Sequence, residues 1–247
     1  PRVLEVLKAQ HDDSFHPSDY IGTYMEKLRG TGENPNNKTI PFQKVVMETI
    51  MDEIADEIVT DTIYNGVGKA AFTAYSALTV YNAGNLITYT QENELRYFRC
   101  IATTTAGQNP DTHPAKWDWA GGRAIAKGFG KIIADEITGG GIAASQVIAT
   151  GAIASGTAYA QYTSLWRGLN EKIRTKGATI HTSFSNYEKL MDDYEDKIKK
   201  NFEQVDGITY LAKTDRKCQI LPVNWLSGSG RLIATPGQNL WMGTDQT

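Results

Sequence analysis

Residues 218–245 read CQILPVNWLSGSGRLIATPGQNLWMGTD, and this stretch decides the fold class. The β-prone runs KCQILPVNWL, RLIAT and QNLWMG are separated by SGSG and TPG, and ITYLA precedes them across KTDR. Short apolar runs punctuated by Gly, Pro and Ser predict strands joined by tight turns, with Ser227 to Gly230 as a hairpin turn. Upstream, residues 178–182 form another strand candidate. It runs into Ser185-Asn186-Tyr187-Glu188, an S-x-x-E capping box that predicts a helix to about Phe202. The apolar stripe of that helix is Tyr187, Leu190, Met191, Tyr194, Ile198 and Phe202. This order predicts an α+β fold with a mixed or antiparallel sheet.

Working towards the N-terminus, helical spacing governs two regions. The segment from about Thr157 to Thr175 places Tyr159, Tyr162, Trp166, Leu169 and Ile173 on one face, and a second helix is expected from Arg123 to Ile137. Between them, residues 138–156 carry ITGGG and IATGAIASG. No GxxxxGK[ST] and no strand–GxGxxG–helix context accompanies these glycines, so they read as a linker with a packed turn. From Phe42 to Tyr64, Val46, Met47, Ile50, Met51, Ile54, Ile58 and Ile63 recur at helical spacing. Glu48, Asp52, Glu53, Asp56, Glu57 and Asp61 take the other face. At 1.5 Å per residue this predicts a helix of roughly 33 Å. Pro41 stands near its start and Asn65-Gly66 ends it. Its acidic face reads as solvated or paired with a basic neighbour rather than as a cation site.

Residues 80–119 lose helical periodicity. LITY and RYFRCI are short β-prone runs around Gln91-Glu92-Asn93-Glu94, and a turn-rich loop precedes Trp117. The resulting organisation is an N-terminal arm over 1–41, a long-helix segment over 42–79, a small inserted β module over 80–119, and an α+β body over 120–247.

A chain of 247 residues with 40% hydrophobic content can bury a full core. No apolar run approaches the ~20 residues that span a bilayer. With a net charge of -3 and dispersed Lys and Arg, the chain offers no basic stripe for phosphate backbones. Cys100 and Cys218 lie far apart and form no CxxC motif, which predicts two buried free thiols. No signal-peptide pattern follows Pro1.

Catalytic constellations are sparse. The histidines are His11, His16, His113 and His181, and HDDSFH at 11–16 lacks HExxH spacing on a helix. There is no GxSxG elbow. Asp135-Glu136 and Asp192-Asp193 are sequence neighbours on helices, so each pair diverges rather than flanking one bond. The sequence therefore predicts no catalytic residue, no cofactor and no metal site, and points away from an enzyme.

Three segments together resemble the major capsid proteins of tailed double-stranded DNA phages, especially a group associated with Bacteroidetes hosts. They are VVMETIMDEIADEIVTDTIYNG, GFGKIIADEITGGGIAASQVIATGAI and the closing stretch over 218–245. The resemblance covers most of residues 43–80 and 123–247. It implies the HK97-like capsid fold, with Phe42 to Tyr64 as the spine helix of the peripheral domain. Tyr187 to Phe202 and the strands from Ile208 to Gly243 would belong to the axial domain around the local symmetry axis. The implied function is self-assembly into hexamers and pentamers of an icosahedral shell around DNA, which is touched only through diffuse contacts. Scaffold, protease, portal and decoration proteins are the implied partners. The implied location is the virion, with the host cytoplasm during assembly and no membrane. Family members carry an extended hairpin between arm and spine helix, for which only residues 1–40 are available here. They also continue beyond the Gly-Thr-Asp element. A start at Pro1 is compatible with the family's habit of removing an N-terminal scaffolding segment by proteolysis, and equally with a trimmed form. A bacterial nanocompartment shell of the encapsulin type is the alternative with the same fold.

The 80–119 region resembles instead the small hairpin modules related to chitin- and cellulose-binding domains, on AGNLITY and LRYFRCIATTTAGQNPDTHPAKW. That resemblance implies surface glycans as partners, with Tyr89, Tyr97, Trp117 and Trp119 as the stacking rings, and a glycan-binding protein as a further alternative. The ordinary role of such rings is to form the core of a module this small.

Overall fold

The computed structural model describes residues 42–198, 203–205, 207–236 and 240. The expected arm with His11 and His16, the helix continuation to Phe202 and all of QNLWMG but Leu240 lie outside these residues. Among the described residues the chain is α+β, with six α-helices and two mixed sheets.

Helix α1, Phe42–Glu57, does not run unbroken to Tyr64: it widens into a π-helical turn at Ile58–Thr62, closed by Ile63 N donating to Ile58 O at 3.0 Å. A π turn inserts an extra residue and rotates the downstream side chains about the axis. Here it directs Asp61 and Thr62 at α2, Gly121–Ile125. Arg123 Nε lies 2.9 Å from Asp61 Oδ1, and Thr62 Oγ1 donates to Gly122 O at 2.8 Å. The helix expected over 123–137 is split into α2 and α3, Phe129–Thr138. The break arises because Gly128 N, Phe129 N and Gly130 N donate to Gly66 O, Ile63 O and Tyr64 O at 2.7–3.1 Å. The chain crosses so close to the end of the π turn that a Cβ on Gly128 would sit 2.6 Å from Thr62 O.

The helix expected over 157–175 is likewise two, α4 at Ala158–Gly168 and α5 at Glu171–Lys176. Asn170 separates them, its side chain accepting from Lys172 N at 2.9 Å as an N-cap. Strand β5, Ala178–Thr182, has the expected bounds. Helix α6, Phe184–Ile198, starts a residue before the expected capping box. Ser183 Oγ, not Ser185, accepts from the first-turn backbone, at Asn186 N and 3.3 Å.

Sheet one has the order β1-β2-β3-β4: Thr73–Ala74, Leu86–Gln91, Glu94–Cys100 and Trp117–Trp119. Its first strand lies ahead of residue 80 and pairs parallel with β2. Sheet two has the order β6-β7-β8-β5-β9, the further strands being Glu203–Val205, Ile208–Tyr210, Cys218–Pro222 and Ile233–Thr235. Strand β5 pairs parallel with β8 and antiparallel with β9, so β5 stands between the two strands that SGSG was expected to join. Ser227 to Gly230 is therefore no hairpin turn. It belongs to a crossing segment, 223–232, that passes β5 and includes a 3-10 turn at Asn224–Leu226.

Alternation along β5 puts Ala178, Ile180 and Thr182 on the buried face. Against that face pack Tyr162, Leu165 and Trp166 of α4 and Leu190 and Tyr194 of α6. Two polar contacts inside this layer fix its register. Tyr162 Oη and Thr182 Oγ1 share a buried hydrogen bond of 2.6 Å, and burial pushes the tyrosine up to about 12. The buried Asp193 carboxylate of α6 accepts from Gly156 N and, at 2.9 Å, from Tyr159 N, so it caps α4 from another helix.

Leu190 is 0% exposed. Leu190→Ala should cost about 3 kcal/mol, the usual penalty of emptying a leucine-sized space, read as a lowered urea midpoint. A loss under about 1 kcal/mol would show that α6 does not pack on the sheet as described.

Candidate functional site

The four rings singled out in the sequence are fixed by the register of sheet one. Ile87 pairs with Phe98, Tyr89 with Arg96, Cys100 with Trp117 and Phe98 with Trp119, so these side chains share one face. Tyr97 pairs with Thr88 and belongs to the opposite face. There it meets Phe72 edge-on at 5.0 Å, beside Leu86, Ala120 and Ala124. The four rings thus divide between two faces, and no single platform presents them.

On the shared face the rings form the core of the module. Trp117 is 6% exposed and meets Tyr81 at 5.4 Å and Tyr75 at 6.3 Å, while its Nε1 donates to Gln108 O at 3.3 Å. Tyr75 also meets Tyr89 at 5.4 Å. Neither Tyr75 nor Tyr81 was singled out in the sequence, although Tyr-x5-Tyr directly before the strands is a visible signal. Tyr89 is half-buried, and its hydroxyl donates to Asp111 Oδ2 at 2.8 Å, with Gln91 Nε2 donating to Oδ1 at 2.8 Å. The carboxylate acceptor raises the Tyr89 pKa. The loop closes over the core through Thr104, whose Oγ1 accepts from Tyr81 N at 2.9 Å while its own N–H donates to Tyr81 O. The turn at Glu92-Asn93 has positive φ at both residues, 53° and 68°, the twist a two-residue hairpin requires.

Trp119, 39% exposed, is the most open of the four rings and marks the seam with α1. Its Nε1 donates to Glu57 Oε1 at 3.3 Å, and Gly122 N donates to the same oxygen at 2.7 Å. Gly121 lies under the indole, where a Cβ would come within 2.5 Å of the ring. Glu57 and Asp61, expected on a solvated or basic-paired face, are the two members of that acidic face that α2 engages. Asp52, Glu53 and Asp56 stay exposed.

A second seam joins the end of the π turn to sheet two. Trp225, on the crossing segment, lies 6.0 Å from Tyr64, 5.8 Å from Phe129 and 5.6 Å from His181, measured between ring centres. Tyr64 Oη and Ser229 Oγ lie 3.1 Å apart. The His181 Nδ1 is buried without a partner among the described residues, and desolvation lowers its pKa.

The cysteines and the paired carboxylates singled out in the sequence are apart from these seams. Cys100 and Cys218 are buried free thiols, both pushed up by desolvation, Cys218 to about 12. A thiol so raised is a poor nucleophile. Asp192 is exposed while Asp193 is buried, and Asp135 pairs with Lys131 and Lys127, which hold its carboxyl below the usual range. His113 shares a 2.9 Å hydrogen bond with Thr112. Among the described residues no group of three His, Cys, Asp or Glu side chains is placed to hold a metal, and no helix is long and apolar enough to cross a membrane.

The chain matches no protein-family model, no curated protein and no solved structure.

The unequal burial of the two tryptophans is testable. Trp117→Ala should destabilise the chain by about 3–5 kcal/mol, as for other buried aromatic rings, whereas Trp119→Ala should cost about 1 kcal/mol. Equal effects on the thermal midpoint would contradict the placement of the two rings. The folded-state pKa of His181 lies below its unfolded value of 6.5, so the unfolded chain binds the extra proton first. Stability is complete above about pH 6.5 and declines as pH falls through that value. Urea midpoints at pH 7.5 and 5.5 should differ in that sense, and His181→Gln should shrink the difference. An unchanged difference in the variant would remove His181 as its source.

Proposed function

We propose that the chain is a major capsid subunit of a tailed double-stranded DNA phage, with the HK97-like fold the sequence suggests. Its work is repeated self-association into hexamers and pentamers of a closed shell. The observation that supports this best is the exposure of large apolar side chains on several separate elements. Leu78 is 92% exposed in the 76–79 turn, Met47 and Met51 are 59% exposed one helical turn apart on α1, and Phe184 and Leu221 are open on α6 and β8. A lone exposed apolar residue is ordinary, but apolar groups on several elements suit a subunit that neighbours cover on more than one side. Contacts between non-identical patches close into rings when the rotation allows, which is the geometry a shell needs.

The α+β body supports the same reading, since a sheet with α4 and α6 on one face and the Tyr64 end of the long helix on the other gives a stiff plate with edges to tile. The exposed carboxylates of Asp52, Glu53 and Asp56 repel a phosphate backbone, so α1 would meet a neighbouring subunit rather than packaged DNA. On this reading the protein resides in the virion, and in the host cytoplasm during assembly. Scaffold, protease and portal would be its assembly partners.

Sedimentation velocity and negative-stain electron microscopy of the chain, expressed alone and with its neighbouring genes, test the proposal. Capsomers or shells are the expected result. A monodisperse monomer under every condition would overturn it, and shells filled with a cargo protein would move the reading to a nanocompartment. Leu78→Asp and Met51→Asp should reduce the assembled fraction while leaving the circular dichroism spectrum unchanged.

A further inference from the structure

An open cleft of about 390 Å³ lies between α4 and the turn that joins β7 to β8. Tyr159, Ala160, Thr163, Ser164 and Arg167 line it from α4, and Lys213 from the turn. Positions 159, 163 and 167 are four apart, so one helical face supplies an aromatic ring, a hydroxyl and a guanidinium in sequence. No carboxylate lines the cleft, and among the described residues neither Arg167 nor Lys213 forms an ion pair. Two cations facing one space repel each other, and an anion between them relieves that repulsion.

The position of Lys213 is built rather than incidental. Its φ is 63°, and Asp215 and Arg216 follow at 54° and 56°, three left-handed non-glycine residues within four positions. Such backbone persists only where the surroundings over-determine it. Leu211 N donates to Cys218 O at 2.9 Å, Thr214 Oγ1 to Leu211 O at 2.6 Å, and Lys217 N to Thr214 O at 3.1 Å. Ala212 N donates to the Tyr194 hydroxyl, and the Tyr194 ring meets Tyr159 edge-on at 5.2 Å. The aromatic wall of the cleft and the turn that carries the lysine are therefore braced by the same tyrosine.

We propose that this cleft binds a phosphate-bearing small molecule. The phosphate sits between Arg167 and Lys213, the exposed Ser164 hydroxyl completes its donors, and the organic part rests on Tyr159 and Ala160. A guanidinium, an ammonium and a hydroxyl match a dianion with several terminal oxygens better than a carboxylate with two. The volume exceeds that of a lone phosphate and falls in the range of small-molecule sites.

Phenyl phosphate is the probe, titrated into the full chain and followed by calorimetry or amide chemical shifts, with inorganic phosphate and benzoate as parallel arms. Saturable binding of phenyl phosphate is expected, tighter than inorganic phosphate and far tighter than benzoate. Arg167→Gln and Lys213→Gln should each weaken it about tenfold, the loss of one charge-assisted hydrogen bond, with melting temperature unchanged. Both side chains are exposed, so the folded state survives their replacement. Absence of saturation, equal affinity for benzoate, or affinity indifferent to both substitutions would overturn the proposal. Inorganic phosphate binding as tightly as phenyl phosphate would overturn the organic half of it.

Discussion

One indole holds two halves of this molecule in register. Trp225 stands on the segment that carries the chain from β8 past β5 to β9, and touches Tyr64 just beyond the π turn, Phe129 at the start of α3 and His181 on β5. Each of the three rings comes from a different part of the chain, so the wedge turns sequence-distant elements into neighbours. Asn186 of α6 adds to the joint by donating to Ser229 O at 3.3 Å, on the same crossing segment. Aromatic contacts of this kind tolerate tilt but not separation. The end of the long helix and the five-stranded sheet are therefore held at close range by packing rather than by a dense ladder of hydrogen bonds.

The β module and the long helix are joined differently. Glu57 accepts from both an indole and a backbone amide, and Asp61 pairs with Arg123. Directional polar bonds to Glu57 and Asp61 join the module and α2 to the long helix, whereas the Trp225 seam combines ring contacts with the Tyr64–Ser229 hydrogen bond.

Much of the architecture was legible in the residues because it follows from local chemistry. The strand expected over 178–182 is β5, the order of helix and strand candidates pointed to the α+β class, and the free thiols are buried as two isolated cysteines should be. What was hidden depends on contacts between distant segments. Nothing local in FGKIIADEIT says that Gly128 must cross the π turn, and nothing in SGSG says that β5 already occupies the place beside β8. The capping serine was misplaced by two positions because Ser183 and Ser185 look alike in sequence and only burial tells them apart. At the aromatic site, residue type was readable but orientation was not. The strand register alone sends Tyr97 to the face opposite Tyr89, and packing alone buries Trp117 while leaving Trp119 open.

The order of sheet two also carries a consequence for synthesis on the ribosome. Strand β5 leaves the exit tunnel with no strand partner yet made: its parallel neighbour begins at Cys218 and its antiparallel neighbour at Ile233. Until then α6, the next described element to emerge, can cover the apolar side of α4 and the buried face of β5, while the edge amides of β5 still lack their ladder partners. The neighbourhood of β5 in the sheet is therefore complete only once β9 has been translated. Slow closure of that kind makes the interval before β9 the stage at which a holding chaperone would matter most.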